Sequence, residues 1–196
     1  EHLAAAIDWL CRAQDVRDGH ADAGGVSAGW SFEDGWLPSY PETTGYIVET
    51  MLAAAEVLKR PELVGRAQRM IDWEISIQQS DGAFPGHFGE PGSRPVIFNT
   101  GQIMHGMIAG ATQLRRPECL VAAVRAGHWL ADQQDDDGCW RRFEHNDGPH
   151  AYNTRATWAL LATGLIAGDA RLVQSARRNL DWALTQQTAS GWFATN

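Results

Sequence analysis

The chain has 196 residues and a formal net charge of −8, long enough for one domain with a sizeable core and too acidic for a protein that grips nucleic acid with a basic face. No apolar run approaches the ~20 residues that a membrane-spanning helix needs. Three cysteines, Cys11, Cys119 and Cys139, form no C-x-x-C pair, so free thiols in a reducing, cytoplasmic setting are expected.

In chain order, residues 3–14 place Leu3, Ala6, Ile7 and Leu10 at helical spacing. A long loop over 15–42 follows, rich in Gly, Asp and Trp, and loops of that length in a compact domain are often functional. A second helix is predicted from Thr43 as N-cap, with Ile47, Val48, Met51, Leu52 and Ala55 as its buried stripe. Lys59-Arg60-Pro61 turns the chain into a third helix that runs to Gln78 or Gln79, with proline in its first turn. The same order recurs. A loop over 80–97 leads to a helix from Asn99, a corner at Arg116-Pro117-Glu118 and a helix to Gln134. A loop over 135–151 leads to a helix from Asn153, a corner at Gly168-Asp169 and a last helix ending near Gln187. Seven helices and no substantial sheet are expected, an all-α chain. Tight corners alternate with long loops, so in an array of antiparallel hairpins the loops gather on one face, where sites are commonly built.

The helices that precede the long loops end alike. Trp129, Gln134, Gly138 and Trp140 spell Trp-x4-Gln-x3-Gly-x-aromatic; Trp73, Gln78, Gly82, Phe84 and Trp182, Gln187, Gly191, Phe193 repeat it. Trp9 and Gln14 open a fourth copy, in which Gly19 comes one residue late. The tryptophans Trp9, Trp73, Trp129 and Trp182 lie 64, 56 and 53 residues apart, the period of a helical-hairpin repeat. A residue needed four times over is structural: Trp packs between hairpins, Gln bonds backbone at helix ends, and Gly supplies positive φ after the helix.

The chain resembles the α/α-toroid superfamily, and its Gln-x3-Gly-x-aromatic element is similar to the QW motif of squalene–hopene cyclases and related terpene cyclases. The segments YPETTGY (40–46), FNTGQ (98–102) and HAYNTR (150–155) resemble a cyclase-like group associated with bacterial polysaccharide biosynthesis. The resemblance implies an α/α toroid-like array over residues 1–196, a single domain. Its three hairpins and leading helix make a partial ring. Apolar surface is expected at both open ends, covered by a homodimer partner or by a missing half-ring. Cation-generating cyclases of this kind carry an acidic D-x-D-D motif; Asp135-Asp136-Asp137 instead runs into the turn at Gly138 and reads as a solvated helix end.

Positions that differ among the aligned inner-helix starts are the better site candidates. Glu42, Phe98 and Tyr152 share one position, Gly45, Gly101 and Arg155 another, and Glu49 aligns with His105. Glu42, Glu49, His105 and Tyr152 are the candidate catalytic residues, as carboxyl, imidazole and phenol able to move a proton. Tyr46, Asn99, Gln102, Asn153, Arg155 and Trp158, with the loop aromatics Trp36 and Trp140, are the candidate substrate-binding residues. Arg155 is the expected anion contact. No metal site is expected: H-E-x-x-H is absent, and His20 with Asp22 and His145 with Asp147 are isolated pairs. No nucleotide-binding motif is present, so no cofactor is expected.

The leading expectation is a carbohydrate-directed protein, an enzyme of lyase, epimerase or hydrolase type acting on an acidic sugar or polysaccharide. It rests on loop aromatics able to stack on sugars, on helix N-termini converging on the loop face, and on Arg94, Arg141, Arg142 and Arg155 there. Two alternatives stand beside it: an isoprenoid-binding or terpene-cyclase-like domain, which needs an apolar cavity, and a non-catalytic helical-repeat scaffold.

Overall fold

A computed structural model describes residues 1–90, 92–146 and 148–195. Among them run seven α-helices: α1 (His2–Asp15), α2 (Pro41–Val57), α3 (Glu62–Ile77), α4 (Ile97–Gln113), α5 (Pro117–Gln133), α6 (Thr154–Ala167) and α7 (Ala170–Thr185). The only paired strands described are β1 (Trp30–Ser31) and β2 (Gly35–Trp36), a two-residue antiparallel ribbon within the first long loop. Helices α2, α4 and α6 pack side by side as an inner row, and α3, α5 and α7 back them as an outer row. None of the described helices is long and apolar enough to cross a membrane, and all three cysteines are free and buried.

Glycines on the inner helices explain how closely that row packs. A Cβ at Gly45 would come within 2.5 Å of the Ile103 Cα, and one at Gly101 would overlap Ala156. Helix α4 is therefore enclosed by α2, α6 and α5, and most of it, from Ile97 to Gly110, is buried. A helical glycine costs up to ~1 kcal/mol relative to alanine; here the cost is offset by backbone-to-backbone packing.

The outer row is held by the Trp-Gln-Gly repeat. The Gln78 side-chain amide donates to the Gly82 carbonyl in its own turn (2.9 Å) and to Ala122 on the next outer helix (2.9 Å). Gln134 repeats this with Gly138 (3.0 Å) and Ser175 (2.9 Å), and Gln14 with Gly24 (2.9 Å) and Arg66 (3.2 Å). Each of these glutamines also accepts from an arginine of the next outer helix: Arg66, Arg125 or Arg178. Among the described residues the Gln187 side chain bonds only within its own turn, to Gly191 (3.1 Å). In the first copy Gly24 (φ 101°) takes the glycine's part, not Gly19 as the spacing suggested, because extra turns intervene before the chain meets α3.

The corners are tied in the same spirit. Arg60 reaches Asp8 (2.7 Å) and Arg116 reaches Asp72 (2.6 Å). At the third corner the polarity reverses: Asp169 meets His128 (3.0 Å) and caps α7 through the Arg171 and Leu172 amides.

Three local expectations are corrected. Helices α2 and α4 start at Pro41 and Ile97, so Thr43 and Asn99 lie inside first turns and do not cap. Proline's fixed φ suits that earlier start. Asn153 does occupy the N-cap position of α6, but its side chain makes no cap bond. Trp73, Trp129 and Trp182 are buried as expected, whereas Trp9 is 45 % exposed and leans on Trp36 at 4.8 Å. At the other end Trp158, Leu165, Leu184 and Trp192 are exposed.

Candidate functional site on the loop face

The first turns of α2 and α4 and the 3-10 turn Ala151–Asn153 before α6 bring the aligned residues Glu42, Phe98 and Tyr152 together. With Tyr40, Asn99 and His145 they line a depression of about 320 Å3. Threonines of two inner helices pin the preceding loops: Thr44 Oγ1 accepts from the Val26 amide (2.9 Å) and Thr100 Oγ1 from the Phe84 amide (3.4 Å). Phe98 and Tyr152 meet edge to face at 5.2 Å, and His150 stacks on Tyr152 at 4.6 Å. The later loops close round the rim, with Phe88 against Tyr40 (5.6 Å) and His87 against His145 (6.2 Å).

Burial governs the electrostatics here. It raises the Glu42 carboxyl above its ordinary pKa, with His145 pulling weakly the other way. The Tyr152 phenol is raised by burial and then by the charges of Glu144 and Glu42. Tyr40 is raised by burial, with the Asn99 amide beside its hydroxyl opposing. Desolvation disfavours a charged form, so these groups hold their protons more firmly than in water.

A second cluster lies deeper along the inner helices. Arg155 donates from Nε to Gln102 Oε1 (2.9 Å), and its guanidinium sits over the Trp158 ring at 5.7 Å. His105 packs edge-on against the same ring at 4.8 Å. Burial, and then the Arg155 charge, depress the His105 pKa to about 4, so the ring is neutral at physiological pH. Glu49 is raised by burial and lowered by Arg155. Tyr46 feels both Glu42 and Arg155, so it joins the two clusters. Trp158 is 57 % exposed and forms the open edge.

Two loop aromatics proposed for binding are elsewhere. Trp140 is 1 % exposed and donates its indole N–H to the Leu130 carbonyl (2.9 Å), so it is core and has no free face. Trp36 belongs to β2 and packs on Trp9, away from the depression. Asn153 is buried and donates to Glu144 (2.9 Å), which leaves it behind the wall. Of the loop-face arginines, Arg141 is held by Asp135 and Asp137, and Arg94 lies over Phe143. Those contacts also fix the Asp135–Asp137 run as a surface turn.

Asp22 pairs with Arg17 (2.9 Å) and accepts from the Ser39 amide, while Asp147 lies outside the described residues. A separate depression of about 430 Å3 opens between the first loop, Trp73 and Phe88, but its Arg17 and Asp22 are occupied by each other. Among the described residues no group of three His, Cys, Asp or Glu side chains is arranged to hold a metal.

Sequence reasoning counted Tyr40 only among the loop aromatics able to stack on sugars, and selected neither His145 nor Glu144. Tyr40 and His145 sit in loops without periodicity, and nothing in the string RRFEHND distinguishes a buried glutamate from a solvated one.

Comparison with curated proteins gives no match. A family model described as the squalene-hopene cyclase C-terminal domain matches residues 38–196. That stretch takes in α2 to α7 and every residue of both clusters, and the Gln-x3-Gly-x-aromatic ties of the outer row run through it. The chain therefore belongs to the squalene-hopene cyclase C-terminal domain family.

Proposed function

We propose that this is a terpene-cyclase-like domain that receives an isoprenoid-type apolar chain in the Tyr40–Phe98–Tyr152 depression and presents Glu42 to it. One observation carries the reading: three aromatic rings and a carboxyl that burial makes reluctant to ionise line one depression in a member of a cyclase family. Aromatic faces hold apolar chains and attract positive charge. A carboxyl whose pKa is raised is a poor acid towards an alkene and a good hydrogen-bond donor to oxygen. Glu42 thus acts on an oxygen function of the ligand, as donor or as proton source.

The acidic-sugar reading keeps one observation of its own. Arg155 and Trp158 form an exposed cation–aromatic pair at the edge of the second cluster. Titration of the intrinsic tryptophan fluorescence with a prenyl alcohol, a prenyl diphosphate and a uronic-acid oligosaccharide separates the readings. Binding of a prenyl probe, weakened about tenfold in Phe98→Ala by the loss of one aromatic wall, is the expected result. Binding of the oligosaccharide alone, abolished in Arg155→Ala, would replace this reading with the carbohydrate one. Binding of none favours a scaffold.

A further inference from the structure

We propose that Glu144 is a second acid of the loop-face site, a buried carboxyl behind Tyr152 that takes up a proton when the depression is filled. The proposal rests on the isoprenoid reading for its ligand and on independent geometry for the carboxyl.

Glu144 is 4 % exposed although it belongs to a long loop. Its backbone is not free to withdraw. The carbonyl of the preceding Phe143 accepts from the Ile97 amide at the start of α4 (2.9 Å), and the Phe143 ring packs on Trp129 at 5.3 Å. The carboxylate is thus delivered to its place by the core. One oxygen, Oε1, accepts from Asn153 Nδ2 (2.9 Å). The other, Oε2, has no partner among the described residues, and neither has Asn153 Oδ1.

An ionised carboxylate with one oxygen buried and unpaired is costly. Protonation removes the charge, and the partner is suited to either state. An amide is donor at one end and acceptor at the other. Asn153 can donate to the carboxylate or, with its side chain turned over, accept from the carboxylic acid at the same separation.

The groups around Glu144 do not compensate its charge. Arg94, from the loop before α4, favours ionisation only weakly and forms no ion pair with it. Cys139, from its own loop, is a buried thiol that the Glu144 charge helps to raise. Tyr152, from the turn before α6, responds to both Glu144 and Glu42, so the two carboxyls share one phenol between them. Burial dominates and carries Glu144 to about 7, against the opposing pull of Asn153 and Arg94. Near neutrality both forms coexist. An apolar ligand that expels water from the depression strengthens the desolvation, and the proton is taken from solvent onto the carboxylate.

The test is calorimetry of the whole chain with a prenyl alcohol at about pH 7.5, in two buffers of different ionisation enthalpy. A fraction of a proton is taken up per ligand bound. In Glu144→Gln, whose amide oxygen can still accept from Asn153, uptake disappears while affinity changes less than about threefold. Uptake that persists in Glu144→Gln and vanishes in Glu42→Gln overturns the proposal, as does binding without uptake.

An infrared pH titration without ligand reads the same group directly. A protonated-carboxyl band titrating near neutrality in the wild type, and missing from the difference against Glu144→Gln, is expected. A difference band that titrates in the ordinary glutamate range defeats the proposal whatever binds. If no probe binds, the isoprenoid reading falls and the uptake claim with it, and the infrared result still decides whether Glu144 holds the proton.

Discussion

The outer row and the loop-facing ends of the inner row are built from the same repeat and have diverged in opposite ways. Along α1 and the outer row Gln14, Gln78 and Gln134 make the same pair of bonds, one to their own turn and one to the next outer helix. At the inner-helix starts one aligned position holds Glu42, Phe98 and Tyr152, and all three line a single depression. Identity serves the outer row because each hairpin must present the next with the same surface. Difference marks the inner ends because the copies converge on one volume, where three identical carboxyls would repel and three identical rings would leave no carboxyl.

The comparison breaks most visibly at the tryptophans. Trp129 is 4 % exposed, and Trp129→Ala is expected to cost ~3–5 kcal/mol, the range for emptying a buried aromatic site. The same change at Trp9, 45 % exposed, should cost about 1 kcal/mol, since half its surface is already in water. Chemical denaturation of both variants checks the pair. Equal losses would mean that burial between hairpins is not what the repeated tryptophan provides.

The next effect belongs to the site. Glu144 has a folded pKa of about 7, above its ordinary value of 4.5. Its neutral form is favoured by the fold, so stability is greatest at and below the ordinary pKa and declines as pH rises through the folded one. One pKa unit is 1.36 kcal/mol, so the decline is on the order of 3 kcal/mol at most between about pH 4.5 and 7. Glu42, Glu49 and Glu74 are raised too and push the same way. His105, depressed to about 4, pushes the other way. The contribution of Glu144 is therefore read as the difference in stability between wild type and Glu144→Gln across that pH range. A constant difference would refute it.

The glutamines sharpen the comparison within the outer row itself. Gln134→Ala removes its bonds to the Gly138 and Ser175 carbonyls and takes the acceptor from the Ser175 hydroxyl and Arg178, a loss of about 1–3 kcal/mol. Gln187→Ala removes one exposed bond to Gly191 and should cost less than about 0.5 kcal/mol. A melt that separates these two variants shows that the bond to the neighbouring hairpin, not the bond in the turn, is what the repeat maintains.

A further modest change is expected at Arg155. Its side chain is exposed, but it donates to the buried Gln102 Oε1, so Arg155→Ala should cost about 1 kcal/mol through the acceptor it leaves without that donor. The substitution does remove the nearest positive charge from Glu49 and His105. The imidazole pKa, followed by NMR, should rise. If it stays where it is, the second cluster is not electrically coupled.

The seven helices, their order, the alternation of corners and loops, and the roles of the repeated Trp, Gln and Gly in the middle copies were legible in the sequence, whereas Trp9 is exposed and Gly24 stands in for Gly19 in the first copy. Period and repetition are local properties: a helix writes its buried face every third or fourth residue, and a stacked hairpin must write the same interface each time. The alignment of copies also singled out Glu42 and Tyr152, because a position that varies within a repeat is free of the packing that holds the others constant.

Only the tertiary structure decided the rest. Trp140 has the same aromatic character as the rings of the depression, yet its N–H is spent on Leu130 and its faces are in the core. Tyr40, His145 and Glu144 carry no periodic signal; they matter because two loops distant in sequence close over one depression. Glu144 shows the reason most plainly. Whether a glutamate is a solvated charge or a buried acid depends on what surrounds it, and its surroundings here come from Arg94, Cys139, Tyr152 and Asn153, which only folding assembles.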